Sequence, residues 1–363
     1  MEYYAKYLKY NRMYHEHLFE QKQSRNVDND NLSVIPINPT YRDINYDFTL
    51  NMFENFDSVS NLFSPIGMIN SLVLIHIGAI QDTNNLLSHV IGAKFSIDDI
   101  SRYSNLFNNQ NLKSNTKIIT KTSSLTPVYS ILISEAETVQ IVDSNNWFNP
   151  EVETSDPNSM TIITSTIVNL EIDPQTEYYF DVFDSVLDNK IRMMKQIKMF
   201  DYYEDSNAQL IEMPVNLDRN NVCKFGVFIL KQDSCIDRTI NRIPQITSKQ
   251  LAEYVNNLSP QLLDLSIPII KNINVTSMKN TLIKMGLENL FKQGVQLDSI
   301  APGIYLNDII DRTSIRMINS KSTDRELFKG KPIVVKANTP FIYYVRLASD
   351  NVFIAFGDYG SKN

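Results

Sequence analysis

Residues 61–83 read NLFSPIGMINSLVLIHIGAIQDT, and this stretch decides the fold. Ser64 followed by Pro65 is a typical helix start, because a serine side chain caps the first amides and proline is tolerated in the first turn. The following residues, 66–77, are apolar on most sides, which predicts a buried helix. A second helix is predicted from Asp82 to Val90, with Asp82 or Thr83 as N-cap and Gly92 as terminator.

The residues before this stretch predict an appendage and the start of a main domain. Apolar positions recur with helical spacing over 44–56, whereas 21–43 are polar and contain two prolines, as in a linker. Residues 1–20 place apolar side chains three and four positions apart, predicting an amphipathic helix. Its apolar face includes Tyr3, Tyr7, Tyr14 and Leu18. That helix either packs on its own domain or docks on a partner. We therefore expect an extension over 1–43 and a domain over 44–363.

Downstream, the pattern changes from helix to sheet. β-branched stretches predict strands within 117–143 and later strands, and two segments have helical patterns. The later strands are expected at 160–172, 210–215, 222–230, 262–270 and 304–356, and the helices at 248–257 and 277–291. Helices, sheet, helices and sheet in that order indicate an α+β fold.

Composition excludes several functional classes. The net charge of −7 argues against a nucleic-acid surface, which needs clustered Lys and Arg. No apolar run is long enough to span a bilayer, and the first twenty residues lack the apolar core of a signal peptide. We expect an intracellular protein with no membrane partner. Cys223 and Cys235 are too few for a disulfide framework and are expected to be free thiols.

No catalytic chemistry is recognisable in the sequence. Nucleotide-binding glycine motifs, a nucleophile elbow and a zinc-binding His-Glu-x-x-His are all missing. His15 and His17 diverge on a helix and cannot share a metal, and His76 is expected to be a core histidine. The sequence thus predicts no enzyme, no metal and no cofactor.

The quoted stretch resembles the start of a serpin, in which an Asn, an aromatic residue and Ser-Pro open the helix behind the main sheet. Four further segments resemble the family in the same order along the chain. They are 210–214, 265–268 leading into 277–291, 340–346, and 352–357. The resemblance implies the serpin fold: N-terminal helices, a large mixed sheet A and smaller sheets B and C. With this composition it suits an intracellular or viral member, located in the virion or the host cytoplasm.

The reactive loop departs from the family pattern. Inhibitory serpins are cleaved in an exposed loop, which then inserts into sheet A as a new strand. The resemblance places the hinge within 319–323, at Ser322 and Thr323. The remaining exposed loop is Asp324, Arg325, Glu326, Leu327, Phe328, Lys329, Gly330 and Lys331. Eight residues span only about 27 Å when extended, and the charges after the hinge replace the family's small residues. Burying them would be unfavourable, so insertion is not expected.

Two other departures concern the sheet itself. Asp311 stands where the family usually has a hydrogen-bonding histidine, so Ser64 and Asp311 are the predicted equivalents of the shutter, the region that controls sheet opening. Residues 143–159 are too short and proline-broken for the long helix that normally crosses sheet A. The sheet face would then be exposed or covered by the N-terminal helix.

These departures favour a non-inhibitory serpin-fold protein with a binding or structural role. Its protein partner, which the sequence does not identify, would use the N-terminal helix or the exposed sheet. The alternative is a serine or cysteine protease inhibitor acting through the short loop 324–331. An enzyme or small-molecule carrier on the same scaffold is a third option, because a fold does not fix function.

Overall fold

The computed structural model of the chain describes most residues from 41 onwards. They are 41–56, 62–92, 111–134, 136, 138–144, 156, 158–172, 176–183, 189–216, 222–231, 246–319 and 330–360. The chain divides into two units, Met1–Asn38 and Pro39–Asn363, and all of these residues belong to the second.

In the part of the chain that the structure describes, three helices come first, as the sequence predicts. They are α1 (Tyr41–Asn55), α2 (Pro65–Gly78) and α3 (Gln81–Ile91). Ser64 is the N-cap of α2, and Gly92 ends α3 in the left-handed conformation with φ of 87°. The predicted N-cap of α3, Asp82 or Thr83, is wrong, because Ile80 occupies the N-cap position and makes no side-chain cap.

A fourth helix, α4 (Pro127–Ser134), lies where the sequence predicts strand. Its β-branched residues suit a strand locally, but packing decides otherwise. Pro127 takes the first helical position, and Tyr129 and Ile133, four residues apart, are buried on one face. Val128 and Ile131 point outward and are 50% and 49% exposed. Of the strands predicted within 117–143, the one around Ile131 and Ile133 is therefore wrong.

Within the described residues, fourteen strands build two sheets. They are β1 (Leu62–Phe63), β2 (Leu112–Thr120), β3 (Val139–Asp143), β4 (Ser159–Ile172), β5 (Glu177–Phe183), β6 (Asn189–Glu204), β7 (Ala208–Asn216), β8 (Val222–Leu230), β9 (Ser259–Pro268), β10 (Lys271–Ser277), β11 (Tyr305–Asn319), β12 (Ile333–Lys336), β13 (Phe341–Leu347) and β14 (Val352–Tyr359).

The five-stranded sheet has the order β10-β11-β4-β2-β3. It is mixed, since β11 pairs with β4 and β2 with β3 in parallel, while the other neighbours are antiparallel. It corresponds to the predicted sheet A.

The nine-stranded sheet has the order β1-β14-β13-β8-β7-β6-β9-β12, with β5 also paired to β6. The 16-residue strand β6 pairs with β5 over Asn189–Lys195, with β9 over Met193–Tyr202 and with β7 over Asp201–Glu204. The predicted sheets B and C are therefore continuous with one another through β6.

The structure contains one of the two helices predicted within 248–291. Helix α5 (Ser248–Asn256) forms as expected, but the predicted helix over 277–291 is broken. It consists of α6 (Lys279–Leu282), a π-helical turn at Ile283–Leu287 and a 3-10 turn at Glu288–Phe291. Gly286, with φ of 92°, interrupts it, and neither Thr276 nor Ser277 is the N-cap residue.

The main hydrophobic core lies where α1 and α2 pack on the end of the nine-stranded sheet. Phe53 and Phe63 both contact Phe356 of β14, with ring centroids 5.3 Å and 6.1 Å apart. Burial of large aromatic side chains contributes strongly to stability, so these contacts fix α2 and its N-cap against the sheets.

We expect Thr247→Ala to lower the free energy of unfolding by about 1 kcal/mol. Thr247 forms a capping box with Gln250: its Oγ1 accepts from the Gln250 amide at 3.2 Å, and its own amide donates to Gln250 Oε1 at 3.0 Å. Urea denaturation followed by circular dichroism measures the loss. Ser248→Ala, one residue further on, removes a hydroxyl outside the capping position. Equal losses in the two variants would contradict a capping role.

Candidate functional site

The strand pair β4–β11 occupies the centre of the five-stranded sheet, where an inserting loop would have to enter. The two strands are paired in parallel register from Tyr305 opposite Ser159 to Asn319 opposite Ile172. The register shifts once, between Leu306 and Asp308. The pairing covers all 14 residues of β4, so the sheet is closed along the whole strand.

A layer of buried polar side chains lies under the middle of this strand pair. Asp311 is opposite Thr164, and Thr313 is opposite Thr166, all on the inner face of the sheet. From the neighbouring strand β2, the Ser114 hydroxyl lies 3.2 Å from Thr166 Oγ1. Most inner-face residues elsewhere are apolar, so this layer marks a specialised place in the sheet.

Asp311 is fully buried, and burial raises its pKa to about 7. Two hydrogen bonds act in the opposite direction and lower the pKa: one from the Thr313 hydroxyl and one from the Ser64 backbone amide. Thr313 Oγ1 lies 2.7 Å from Asp311 Oδ2. The structure therefore brings Ser64 and Asp311 together through this backbone hydrogen bond, and their role as shutter equivalents stays a prediction.

Ser64 connects helix α2 to both sheets. Its Oγ donates to the Ile354 carbonyl in β14 at 2.8 Å and accepts from the Gly67 amide at 3.2 Å. Gly67 lies directly behind β4, where a Cβ atom would be 2.6 Å from Thr164 Oγ1. No side chain fits there without moving Thr164. The first turn of α2 is thus packed against the closed strand pair through its backbone.

The outer face of the five-stranded sheet is covered at one end and open at the other. Ile119, Ile163 and Ile310 are buried in a small cluster on this face. Further along, Ile167 of β4 is 42% exposed and Ile273 of β10 is 69% exposed. The outer face is therefore covered around Ile163 and exposed around Ile167 and Ile273.

Several predicted functional residues lie outside the part of the chain that the structure describes. These are the loop residues Asp324 to Lys329, the hinge residues Ser322 and Thr323, and the helix residues Tyr3, Tyr7, Tyr14 and Leu18. Most of the segment 143–159, predicted to lack the crossing helix, lies outside as well. Gly330 and Lys331 are described and exposed, and β12 then pairs in parallel with β9.

Sequence reasoning missed Thr164 and Thr313. Strand alternation places both on the inner face, but alternation alone does not reveal which inner positions form a polar layer. Gly67 gave a weak indication of a special site. It stands in the first turn after Ser64 and Pro65, where a second small polar residue would suit the family pattern. The rest of the layer became recognisable only from the strand register.

His76 behaves as the predicted core histidine, since it is buried and its Nε2 lies 2.9 Å from Ser88 Oγ. Among the described residues, no three His, Cys, Asp or Glu side chains cluster so that they could hold a metal ion. Within the same residues, no helix is both long and apolar enough to cross a membrane.

Comparison with known proteins points to one family. The family described as Serpin (serine protease inhibitor) matches residues 173–361. A serpin-like protein, R700 of Acanthamoeba polyphaga mimivirus, is 28% identical over 99% of this chain and 100% of its own length.

Two solved structures share the fold at low sequence identity. A tumour-suppressing serpin superposes with a TM-score of 0.72 at 18% identity, over 88% of this chain and 99% of its own. Native protease nexin-1 with heparin superposes with a TM-score of 0.75 at 12% identity, over 89% and 99%. Family match, full-length viral relative and shared architecture agree, and the chain belongs to the serpin family.

Proposed function

We propose that this chain is a non-inhibitory serpin, which works by binding a protein partner and not by loop insertion. The observation that carries the proposal is the short connection between β11 and β12. Residues 320–332 join Asn319 to Ile333, whereas the strand beside which they would insert has 14 residues.

The length of this connection limits what cleavage could release. Only the residues between Asn319 and the cut can enter the sheet, at about 3.3 Å per residue. A cut after Arg325 frees six residues, or about 20 Å, and a cut after Lys331 frees twelve, or about 40 Å. Full pairing with β4 requires about 46 Å. Neither product could fill the sheet.

The charges of the connection oppose insertion in either register. Successive residues of an inserted strand alternate between the two faces, so every second residue would face the buried polar layer. One register turns Asp324 and Glu326 inward, and the other turns Lys321, Arg325 and Lys329 inward. Burying an unpaired charge costs several kcal/mol, so both registers are unfavourable.

A binding role is supported by the open end of the outer sheet face. Ile167 of β4 and Ile273 and Val275 of β10 are exposed there, on the two strands that flank β11. The partner would contact this face, the N-terminal helix predicted at 1–20, or both. That the chain is not an enzyme and acts inside a cell remain predictions from the sequence.

Incubation with trypsin tests the proposal. We expect nicking within 320–332, no SDS-stable complex with the protease, and no rise in the melting temperature of the nicked protein. An inhibitory serpin would instead form a covalent complex, and insertion of its cleaved loop would stabilise it.

A matched control is the variant Arg325→Gln, Lys329→Gln, Lys331→Gln, which lacks three basic cleavage points of the loop. It should resist nicking between 325 and 332 and keep the melting temperature of the parent. An SDS-stable complex with the parent chain, or a higher melting temperature after nicking, would contradict the proposal.

A further inference from the structure

Two buried oxygen atoms on opposite residues of the strand pair β4–β11 have no hydrogen-bond partner among the described residues. They are Asp311 Oδ1 and Thr164 Oγ1. Their residues are direct neighbours across the parallel strands and both lie on the inner face. Buried polar atoms are rarely left without a partner, so this pair requires an explanation.

Asp311 accepts hydrogen bonds from the Ser64 backbone amide and from the Thr313 hydroxyl, the latter to Oδ2 at 2.7 Å. Its Oδ1 has no hydrogen-bond partner among the described residues, and the residue directly opposite on β4 is Thr164. A proton on Oδ1 gives this atom a donor, and Thr164 Oγ1 is the acceptor across the pair. We expect the two atoms to connect by a side-chain rotation or through one bridging water.

No positive charge among the described residues compensates an ionised Asp311. The titratable groups on the elements around it are His76, Lys113, Lys117, Glu171, Lys271, Lys279, Tyr305, Asp308, Arg312, Arg316, Asp358 and Tyr359. Lys113 and Lys117 of β2 lie opposite Ile167 and Ile163 of β4, on the outer face of the sheet.

Each of these groups is directed elsewhere. Strand alternation places Asp308, Arg312 and Arg316 on the opposite face of β11. Four other groups contact a different residue: His76 contacts Ser88, Glu171 contacts Asn111, Tyr305 contacts Asp156, and Lys279 lies over the Phe291 ring. Lys271 is exposed at the sheet edge, while Asp358 and Tyr359 lie four and five residues beyond Ile354, the β14 residue that Ser64 contacts.

We propose that Asp311 is a proton-operated latch on the five-stranded sheet: as a neutral acid it holds β4 and β11 closed, and as a carboxylate it favours their separation. The proposal goes beyond the proposed function and does not depend on it, because the latch concerns the strand pair and not the loop. A carboxylate in this place lacks a counter-ion, and opening of the strands gives it water.

The direction of the pH dependence follows from the two protonation equilibria. Burial raises the pKa of Asp311 to about 7 in the closed sheet, whereas a solvated aspartate has a pKa near 4. The closed sheet therefore binds the proton more tightly than the open one between these values. Closure is favoured at acidic pH and weakens as the pH rises towards about 7, above which the effect is constant.

Hydrogen–deuterium exchange of the backbone amides in β4 and β11 tests the latch in the full chain. After correction for the intrinsic exchange rates, we expect local opening around Thr164 and Asp311 to rise roughly 20-fold from pH 5.5 to pH 7.5. In Asp311→Asn, which cannot ionise, opening should change less than about twofold over the same range. Asp47→Asn makes the same change at an exposed carboxylate and should behave as the parent.

A second pair of variants tests the acceptor. Thr164→Val removes the hydroxyl, so opening at pH 5.5 should rise at least fivefold towards the value of the parent at pH 7.5. Thr164→Ser keeps a hydroxyl and should stay within about twofold of the parent. A parent chain with pH-independent opening overturns the proposal. So does Asp311→Asn with the pH dependence of the parent, or Thr164→Val with the opening of the parent at pH 5.5.

Discussion

Replacing Arg346 by methionine is expected to lower the free energy of unfolding by about 3–5 kcal/mol. Glu212 is completely buried, and Arg346 binds it through two parallel hydrogen bonds, Nε to Oε1 and Nη2 to Oε2, both of 2.6 Å. Tyr344 donates a third hydrogen bond to Oε1 at 2.8 Å. Without the guanidinium, the carboxylate stays buried with a single neutral donor. The loss should far exceed that from an exposed ion pair.

Lys292→Met provides the matched comparison, because Lys292 pairs with Glu288 one helical turn away in an exposed position. Its loss should be below about 1 kcal/mol. The double variant Glu212→Gln, Arg346→Met removes both charges and should recover part of the stability lost in Arg346→Met. Urea denaturation followed by circular dichroism measures all three. Comparable losses in Arg346→Met and Lys292→Met would show that the buried pair is not important for stability.

Much of the fold could be predicted because its signals are local. Ser64 and Pro65 start α2 in any context, and the apolar character of α2 indicates burial on most sides. The helix α4 could not be predicted, because Val128, Ile131 and Ile133 favour strand locally. Only its packing, with Tyr129 and Ile133 turned towards the core, makes it a helix. Tertiary contacts decide such segments, and one sequence does not contain them explicitly.

The candidate site was predicted in part. The family resemblance placed Ser64 and Asp311 in one region, and the structure shows them joined by a backbone hydrogen bond. Thr164 is 147 residues before Asp311 in the chain and meets it only through the parallel register of β4 and β11. Glu212 and Arg346 likewise pair across two strands that are not consecutive. Long-range register is the information that alternation and composition lack.

Gly226→Ala is expected to lower the free energy of unfolding by about 3 kcal/mol. Gly226 lies opposite Tyr344 in the pair β8–β13, inside the nine-stranded sheet. A Cβ atom there would lie 2.1 Å from Cζ of the Tyr344 ring and 2.3 Å from Cε2. These contacts are far shorter than van der Waals distances, so either the ring or the strand must move.

Neither movement is easy, which is why the expected loss is large. The Tyr344 ring is held by its hydrogen bond to Glu212 and by Phe353 and Phe356, with ring centroids 4.9 Å and 6.4 Å away. Gly294→Ala is the control, because nothing lies within 4 Å of its Cβ position and only the φ of +86° opposes a side chain. It should lose about 1 kcal/mol. If urea denaturation showed the same loss of unfolding free energy in both variants, backbone conformation would explain the effect of Gly226→Ala. The close packing of Gly226 against Tyr344 would then not matter.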